Sequence, residues 1–199
     1  MNDTVNIIIS KPFEVIGLLS SMYLCKPSKK SLEHWKELLC GDTSIFLQDL
    51  KREINAIDTN SDEEMENFLW EYTRLFIGPY RLPCPPWESV YVSPKRLMMQ
   101  DAASQVMSIY REAGFTLDTA DVLPDHIGAE LNFLALILRK SHTEGGQSER
   151  YITLTQKFLS EHLVKWVSSF TEDMENAADL MFYKTLARVT RTMIMADFV

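Results

Sequence analysis

Helix punctuation constrains this chain more than any other feature. Proline or glycine stands at intervals of roughly one helix length, at Pro12, Pro27, Gly41, Gly78-Pro79, Gly114 and Pro124. Between these breaks the apolar residues recur at three and four, and the period-2 alternation of strands is almost nowhere found. Ser10 followed by Pro12 predicts a first helix with Phe13, Ile16, Leu19 and Tyr23 on one face, closed by Pro27. A second, around Leu32, Trp35, Leu38 and Leu39, stops at Gly41. Asp42 is placed to cap a third, through Phe46, Leu50 and Ile54, which runs out into a polar loop at Asp58 to Asn60. Ser61 with Glu64 three residues on is a capping box. It predicts a fourth helix carrying Phe68, Leu69, Tyr72, Leu75 and Phe76 up to Gly78.

Regularity stops from Gly78 to about Gln100. Pro79, Pro83, Pro85 and Pro86 remove backbone donors and fix φ there, so a long loop is expected, with Ser89 to Ser93 briefly extended. Helices resume over Asp101 to Ala113 and from Asp125 to about Lys140. Ser141 to Gln147, with Gly145-Gly146, reads as a hinge. Two helical stretches follow, Ser148 to Asn176 with a bend near Glu161, and Leu180 to Asp197. The expected fold is all-α, a single domain over residues 1–199 built as a bundle of about eight to ten helices.

Composition narrows function. The hydrophobic fraction of 46% is that of a chain with a packed core. A net charge of -8 without a Lys/Arg stripe argues against nucleic acid and makes a basic peptide an easier partner, although an acidic surface also serves solubility alone. Cys25, Cys40 and Cys84 are an odd number with no CxxC pair, which predicts reduced thiols and a cytoplasmic location. The first twelve residues have no basic segment and only Ile7-Ile8-Ile9 as an apolar run, so no signal peptide is expected, and no apolar run reaches transmembrane length.

The most informative stretch runs from Tyr72 to Tyr91, an aromatic helix end leading straight into the proline-rich loop. Tyr72, Leu75 and Phe76 share a helix face, which is either a core stripe or the wall of a binding groove. Prolines stiffen a loop at little entropic cost on binding, and Trp87 and Tyr91 on such a loop are rigid anchors. Met98 and Met99 beside it are either core filling or an adaptable wall. Further on, Asp125-His126 stands at a predicted helix start. Asp125 is placed to cap its own helix, and His126 and Glu130, at i and i+4, are placed to pair. Two ligands are too few for a metal, the remaining histidines (His34, His142, His162) lack companion spacing, and HExxH is absent. Neither a phosphate loop nor a nucleophile elbow occurs, and no cofactor is expected.

These residues resemble the TorD/DmsD superfamily of redox-enzyme maturation chaperones. Two motifs of that superfamily occur in order, an aromatic-x-x-Leu-Phe at Tyr72, Leu75 and Phe76 and an Asp-His at Asp125 and His126. Between them Gly78-Pro79, Pro83, Pro85-Pro86-Trp87, Ser89 and Tyr91 look like the DmsD branch. Pro124 to Leu131 and Phe158 to Trp166 extend the likeness, so that it spans roughly Tyr72 to Phe182. Some relatives carry an acidic residue where this chain has Leu123.

The resemblance implies a non-enzymatic chaperone. Its partners would be the twin-arginine signal peptide of a molybdopterin oxidoreductase catalytic subunit, of the dimethyl sulfoxide reductase type, and the export translocase. It also implies one leader-binding groove formed by Tyr72, Leu75, Phe76, Pro85, Pro86, Trp87, Tyr91, Asp125 and His126. In that groove Asp125 meets leader arginines and Glu88 stands on the rim. An exposed arginine–carboxylate contact gives about 0 to 1 kcal/mol and a buried Leu or Phe about 1.5 to 3, so apolar contacts should set affinity and arginines register. Two other readings stand beside it. One is a nitrate-reductase-type assembly factor that binds the enzyme body; the other is a small metal-dependent hydrolase acting through Asp125, His126 and Glu130.

Overall fold

Helix ends fall where the punctuation sets them. A computed structural model describes residues 12–40, 45–79, 81–117, 122–143 and 148–195. Among these, ten α-helices run in order: α1 Pro12–Leu24, α2 Lys29–Cys40, α3 Gln48–Asn55, α4 Asp62–Phe76, α5 Glu88–Val92, α6 Asp101–Glu112, α7 Ile127–Thr143, α8 Ser148–Phe158, α9 Val164–Ala177 and α10 Met181–Met195. A 3-10 turn, Ile45–Leu47, leads into α3, and a π-helical turn, Leu159–Leu163, joins α8 to α9. The all-α fold expected from the sequence is the fold observed, with an isolated bridge between Trp87 and His126 as the β-type pairing among the described residues. Ser10, Gly41, Asp42, Gly145-Gly146 and Asp197, to which the sequence assigns caps, stops, a hinge and a helix end, lie outside the described residues.

Local chemistry accounts for the boundaries. Ser61 Oγ accepts the Glu64 amide at 3.3 Å, as a capping box requires, but the Glu64 carboxylate reaches past Ser61 to the Asp58 amide at 2.8 Å. The reciprocal arm therefore ties down the preceding loop. At the other end of α4, Gly78 takes φ of 99°, the left-handed conformation that a helix stop favours, and its amide bonds back to the Thr73 carbonyl. Gly114, with φ of 69°, ends α6 in the same way. The bend expected near Glu161 is the π-helical turn, whose wider coil re-aims the side chains that follow α8.

Ser89 to Ser93 is not extended. Glu88–Val92 forms the short helix α5, because Trp87 before it is extended and a carboxylate from another part of the chain accepts the Ser89 amide.

The core is one contiguous cluster in which Ile16, Leu19, Leu75, Phe133, Phe158 and Trp166 are fully buried. α1 packs on α7 in the most extensive helix pairing among the described residues, α9 packs on α10, and α7 packs on α8. Ser20 Oγ donates to the Gly128 carbonyl at 2.7 Å across the α1–α7 contact. The end of α4 is fixed by Glu71, which accepts Arg74 in a two-pronged pair at 2.8 and 2.9 Å and also accepts the Asp179 amide. Arg74 in turn donates to the Ala177 carbonyl at 2.8 Å. This clamp holds the tip of α4 against the α9–α10 turn and aims the proline-rich loop over the molecule.

Candidate functional site

The proline-rich loop and the Asp-His turn, about 40 residues apart in sequence, meet as a short antiparallel pairing. The Glu88 amide donates to the Asp125 carbonyl at 2.9 Å and the Ile127 amide to the Pro86 carbonyl at 2.9 Å. The rings of Trp87 and His126 meet edge to face with centroids 6.2 Å apart. Pro85, Pro86, Trp87, Asp125 and His126 are thus brought together.

Capping roles are exchanged with respect to the sequence expectation. Asp125 does not cap its own helix: it is fully buried, and its Oδ2 accepts the Ser89 amide of α5 at 3.0 Å. His126 caps α7 instead, its Nδ1 accepting the Gly128 amide at 3.0 Å. Because Nδ1 must stay unprotonated to accept, the ring is held neutral, and burial pushes its pKa down to about 4. The expected His126–Glu130 pair does not form. Glu130 is fully buried and takes its hydrogen bond from Trp166 Nε1 at 3.2 Å. Burial, then the charge of Glu88, holds the Glu130 carboxyl well above its ordinary range. Asp125, His126 and Glu130 thus each hydrogen-bond a different neighbour.

Glu88, expected on the rim, is buried. It opens α5 and is hydrogen-bonded to His162 Nδ1 at 2.8 Å, the histidine coming from the π-helical turn. Tyr72, Leu75 and Phe76 also face inward. Leu75 is 0% exposed, Tyr72 donates to the Tyr23 carbonyl at 2.9 Å, and Phe76 packs edge-on against Tyr72, Tyr23 and Tyr183. The core reading of that stripe describes its contacts. The loop rests on it through Cys84, whose buried thiol points at the Leu75 carbonyl at 3.6 Å and is pushed upward in pKa by burial.

The open surface lies just beyond. A groove of about 700 Å³ is lined by Ile77, Leu82, Pro83, Pro85, Trp87, Val90 and Met98, with Arg81, Arg96 and Asp173 as its charged members. Ile77 is 64% exposed and Met98 47%, with Met99 beside it at 70%. Tyr91 is half-buried under this surface, its ring against Trp166 and Phe170 at 5.6 and 6.1 Å. Trp87 belongs to both the groove and the loop–turn pairing, and Pro85 lines the groove. Sequence reasoning missed Ile77, Leu82, Val90, Arg96 and Asp173. Ile77 carried a usable signal, since one residue past Phe76 it falls off the buried stripe of α4.

The chain is similar to known proteins in sequence and in fold. Residues 36–172 match the model of the nitrate reductase delta subunit family. A Haemophilus influenzae protein assigned as the Tat proofreading chaperone DmsD is 31% identical over 126 residues, 63% of this chain and 57% of that protein. The chaperone protein TorD of Vibrio cholerae is 24% identical over an alignment covering 99% of this chain and 94% of that one. The aligned segments span only 57% to 60% of the length of the DmsD relatives. A crystal structure from Archaeoglobus fulgidus assigned to redox enzyme maturation superposes with a TM-score of 0.67 at 22% identity, over 92% of this chain and 94% of that one, and shares the fold. The chain belongs to the nitrate reductase delta subunit family and to the TorD/DmsD superfamily.

Proposed function

We propose that the chain is a cytoplasmic chaperone, acting as a single helical domain without catalysis, that binds the twin-arginine leader of a molybdopterin-containing oxidoreductase. Bound there, it withholds the enzyme from the export translocase until it is folded and loaded. The observation that carries this reading is the pairing of Pro86-Trp87 with Asp125-His126 at the edge of an open groove of mixed apolar and charged lining. The relatives named Tat proofreading chaperones support it, as does the net charge of -8, which favours a basic ligand.

The groove, rather than the Tyr72–Phe76 stripe, supplies the apolar wall in this reading. Seven apolar side chains line it, and each one covered by a leader's hydrophobic segment contributes a fraction of the roughly 1.5 to 3 kcal/mol of full burial. A micromolar complex needs about 8 kcal/mol net, after about 2 to 5 kcal/mol spent on ordering the peptide. Hydrophobic cover along the whole groove is therefore required. Asp125 and Glu88 act from below, by holding α5 and the loop in place. Buried as they are, neither meets a leader arginine directly.

The family's description by a nitrate reductase subunit favours a second reading, binding to the enzyme body. Isothermal titration separates the two. A synthetic twin-arginine leader should bind with micromolar affinity and the leader-deleted enzyme should not. Binding to the deleted enzyme alone selects the second reading.

A further inference from the structure

The charged members of the groove are arranged around an arginine that is already in place. Arg96 Nη2 lies 3.6 Å from Asp173 Oδ2, and the Arg96 guanidinium sits over the Tyr91 ring at 5.4 Å from its centroid. A carboxylate beside an aromatic face is a guanidinium-binding arrangement, combining charge with a cation–π contact. Tyr91 is a rigid floor for it, since Trp166 and Phe170 pack against the same ring. Arg96 itself is loosely seated. At 3.6 Å the ion pair exceeds hydrogen-bond length, and both side chains remain open to solvent, 55% and 40% exposed.

The segment that delivers Arg96 is under backbone strain. Arg96 has φ of 50° and Met99 φ of 57°, left-handed conformations that residues with a Cβ resist. Leu97, Met98 and Met99 are about half exposed or more. The stretch between α5 and α6 is thus a strap across one end of the groove, fastened at Arg96.

Charge inside the groove gives the strap a consequence. With Arg96 seated, its lining holds two arginines, Arg81 and Arg96, against Asp173 alone, which disfavours a basic ligand. Withdrawal of Arg96 removes one positive charge from the lining and leaves Asp173 open to a guanidinium. We propose that Asp173 and the ring face of Tyr91 form an arginine subsite of the groove, filled by the chain's own Arg96 until an arginine of an incoming peptide displaces it. This rests on the groove being the peptide site. Arg96 acts as a tethered competitor whose weak contacts lower the apparent affinity of an arginine-bearing ligand but give way to an arginine with better geometry.

The test uses the full chain and two synthetic peptides, one with two adjacent arginines followed by a leucine- and alanine-rich segment, the other with both arginines replaced by glutamine. Arg96→Ala should bind the arginine peptide about fivefold more tightly than the unmodified chain, and Asp173→Asn about fivefold more weakly. The gain in Arg96→Ala should vanish with the glutamine peptide. Separately, arginine methyl ester should shift the Tyr91 ring resonances of Arg96→Ala, and adding Asp173→Asn should abolish the shift. If Arg96→Ala binds the arginine peptide no better while Trp87→Ala weakens it, the subsite is overturned and the groove reading stands. If neither peptide binds any variant, the groove reading fails. The methyl ester titration then decides the subsite alone, and an unmoved Tyr91 overturns it.

Discussion

The Ser89 amide donates to Asp125 Oδ2 at 3.0 Å, so a carboxylate at the start of α7 caps α5. One buried side chain thereby sets the exit angle of the Pro85-Pro86-Trp87 loop. Asp125→Ala should lower stability by about 1 to 3 kcal/mol, since the cap is lost inside the protein and a buried amide is left unpaired. Asp125→Asn retains an acceptor oxygen and should lose clearly less. Urea denaturation measures both, and equal losses would show that charge rather than capping is what Asp125 supplies.

Leu75 and Trp87 should separate stability from binding. Leu75 is 0% exposed beneath the loop, whereas Trp87 is half-buried and lines the groove. Leu75→Ala should therefore cost about 2 to 5 kcal/mol of stability through the cavity it leaves. Trp87→Ala should cost less stability and weaken leader binding by at least about 1 kcal/mol. Thermal melts paired with calorimetry decide it. Comparable losses of melting temperature in the two variants would place Trp87 in the core as well.

Two perturbed groups at the site, His126 and Glu130, should tilt the stability profile in opposite directions. His126, held neutral with a pKa lowered from 6.5 to about 4, contributes stability that is complete above about pH 6.5 and is lost as pH falls toward 4. Glu130, held protonated by burial, contributes stability that is complete below its ordinary range and declines as pH rises above about 4.5. His126→Asn, which keeps a capping oxygen, should remove the acid-side loss, and Glu130→Gln should flatten the fall at higher pH. Chemical denaturation across pH 4 to 8 tests both, and an unchanged profile in either variant refutes that assignment.

Helices were legible because their breaks are written as proline, glycine and capping residues, each acting within a few positions. The bend near Glu161 was legible as an irregularity, and it is a π-helical turn. What sequence could not place was anything decided across the chain. Capping types were visible at Asp125 and His126, but which amide each would meet depended on the loop folding onto the turn. Ser89 to Ser93 looks extended in sequence because prolines flank it, at Pro86 and Pro94, and its cap is 36 residues away. The motif residues look like one lining in sequence, whereas Tyr72, Leu75, Phe76, Pro86, Glu88 and Asp125 lie beneath the surface and support it. Burial depends on what packs over a face, and periodicity reports only that a face exists.

Two glycines offer a sharper check on the packing that carries the Asp-His turn. Gly128 stands in the first turn of α7 where α1 crosses it, and a Cβ there would lie 2.5 Å from Leu24 Cγ and 3.2 Å from the Ser20 carbonyl oxygen. Gly17 stands inside α1, and a Cβ there would meet nothing nearer than Ala135 Cβ at 3.9 Å, an ordinary contact. In an open helix, alanine in place of glycine is worth about 1 kcal/mol. Gly17→Ala should realise most of that gain and raise the melting temperature by about 2 to 4 °C. At Gly128 the same gain opposes a steric cost of about 1 to 3 kcal/mol, because Leu24 can rotate aside but the Ser20 backbone cannot without moving α1. The Ser20 Oγ bond to the Gly128 carbonyl would stretch with that movement. Gly128→Ala should therefore be the less stable of the two variants and should melt at or below the unmodified protein. A Gly128→Ala protein as stable as Gly17→Ala would mean that α1 does not approach α7 closely at the Asp-His turn, and the support inferred for the groove from below would fall with it.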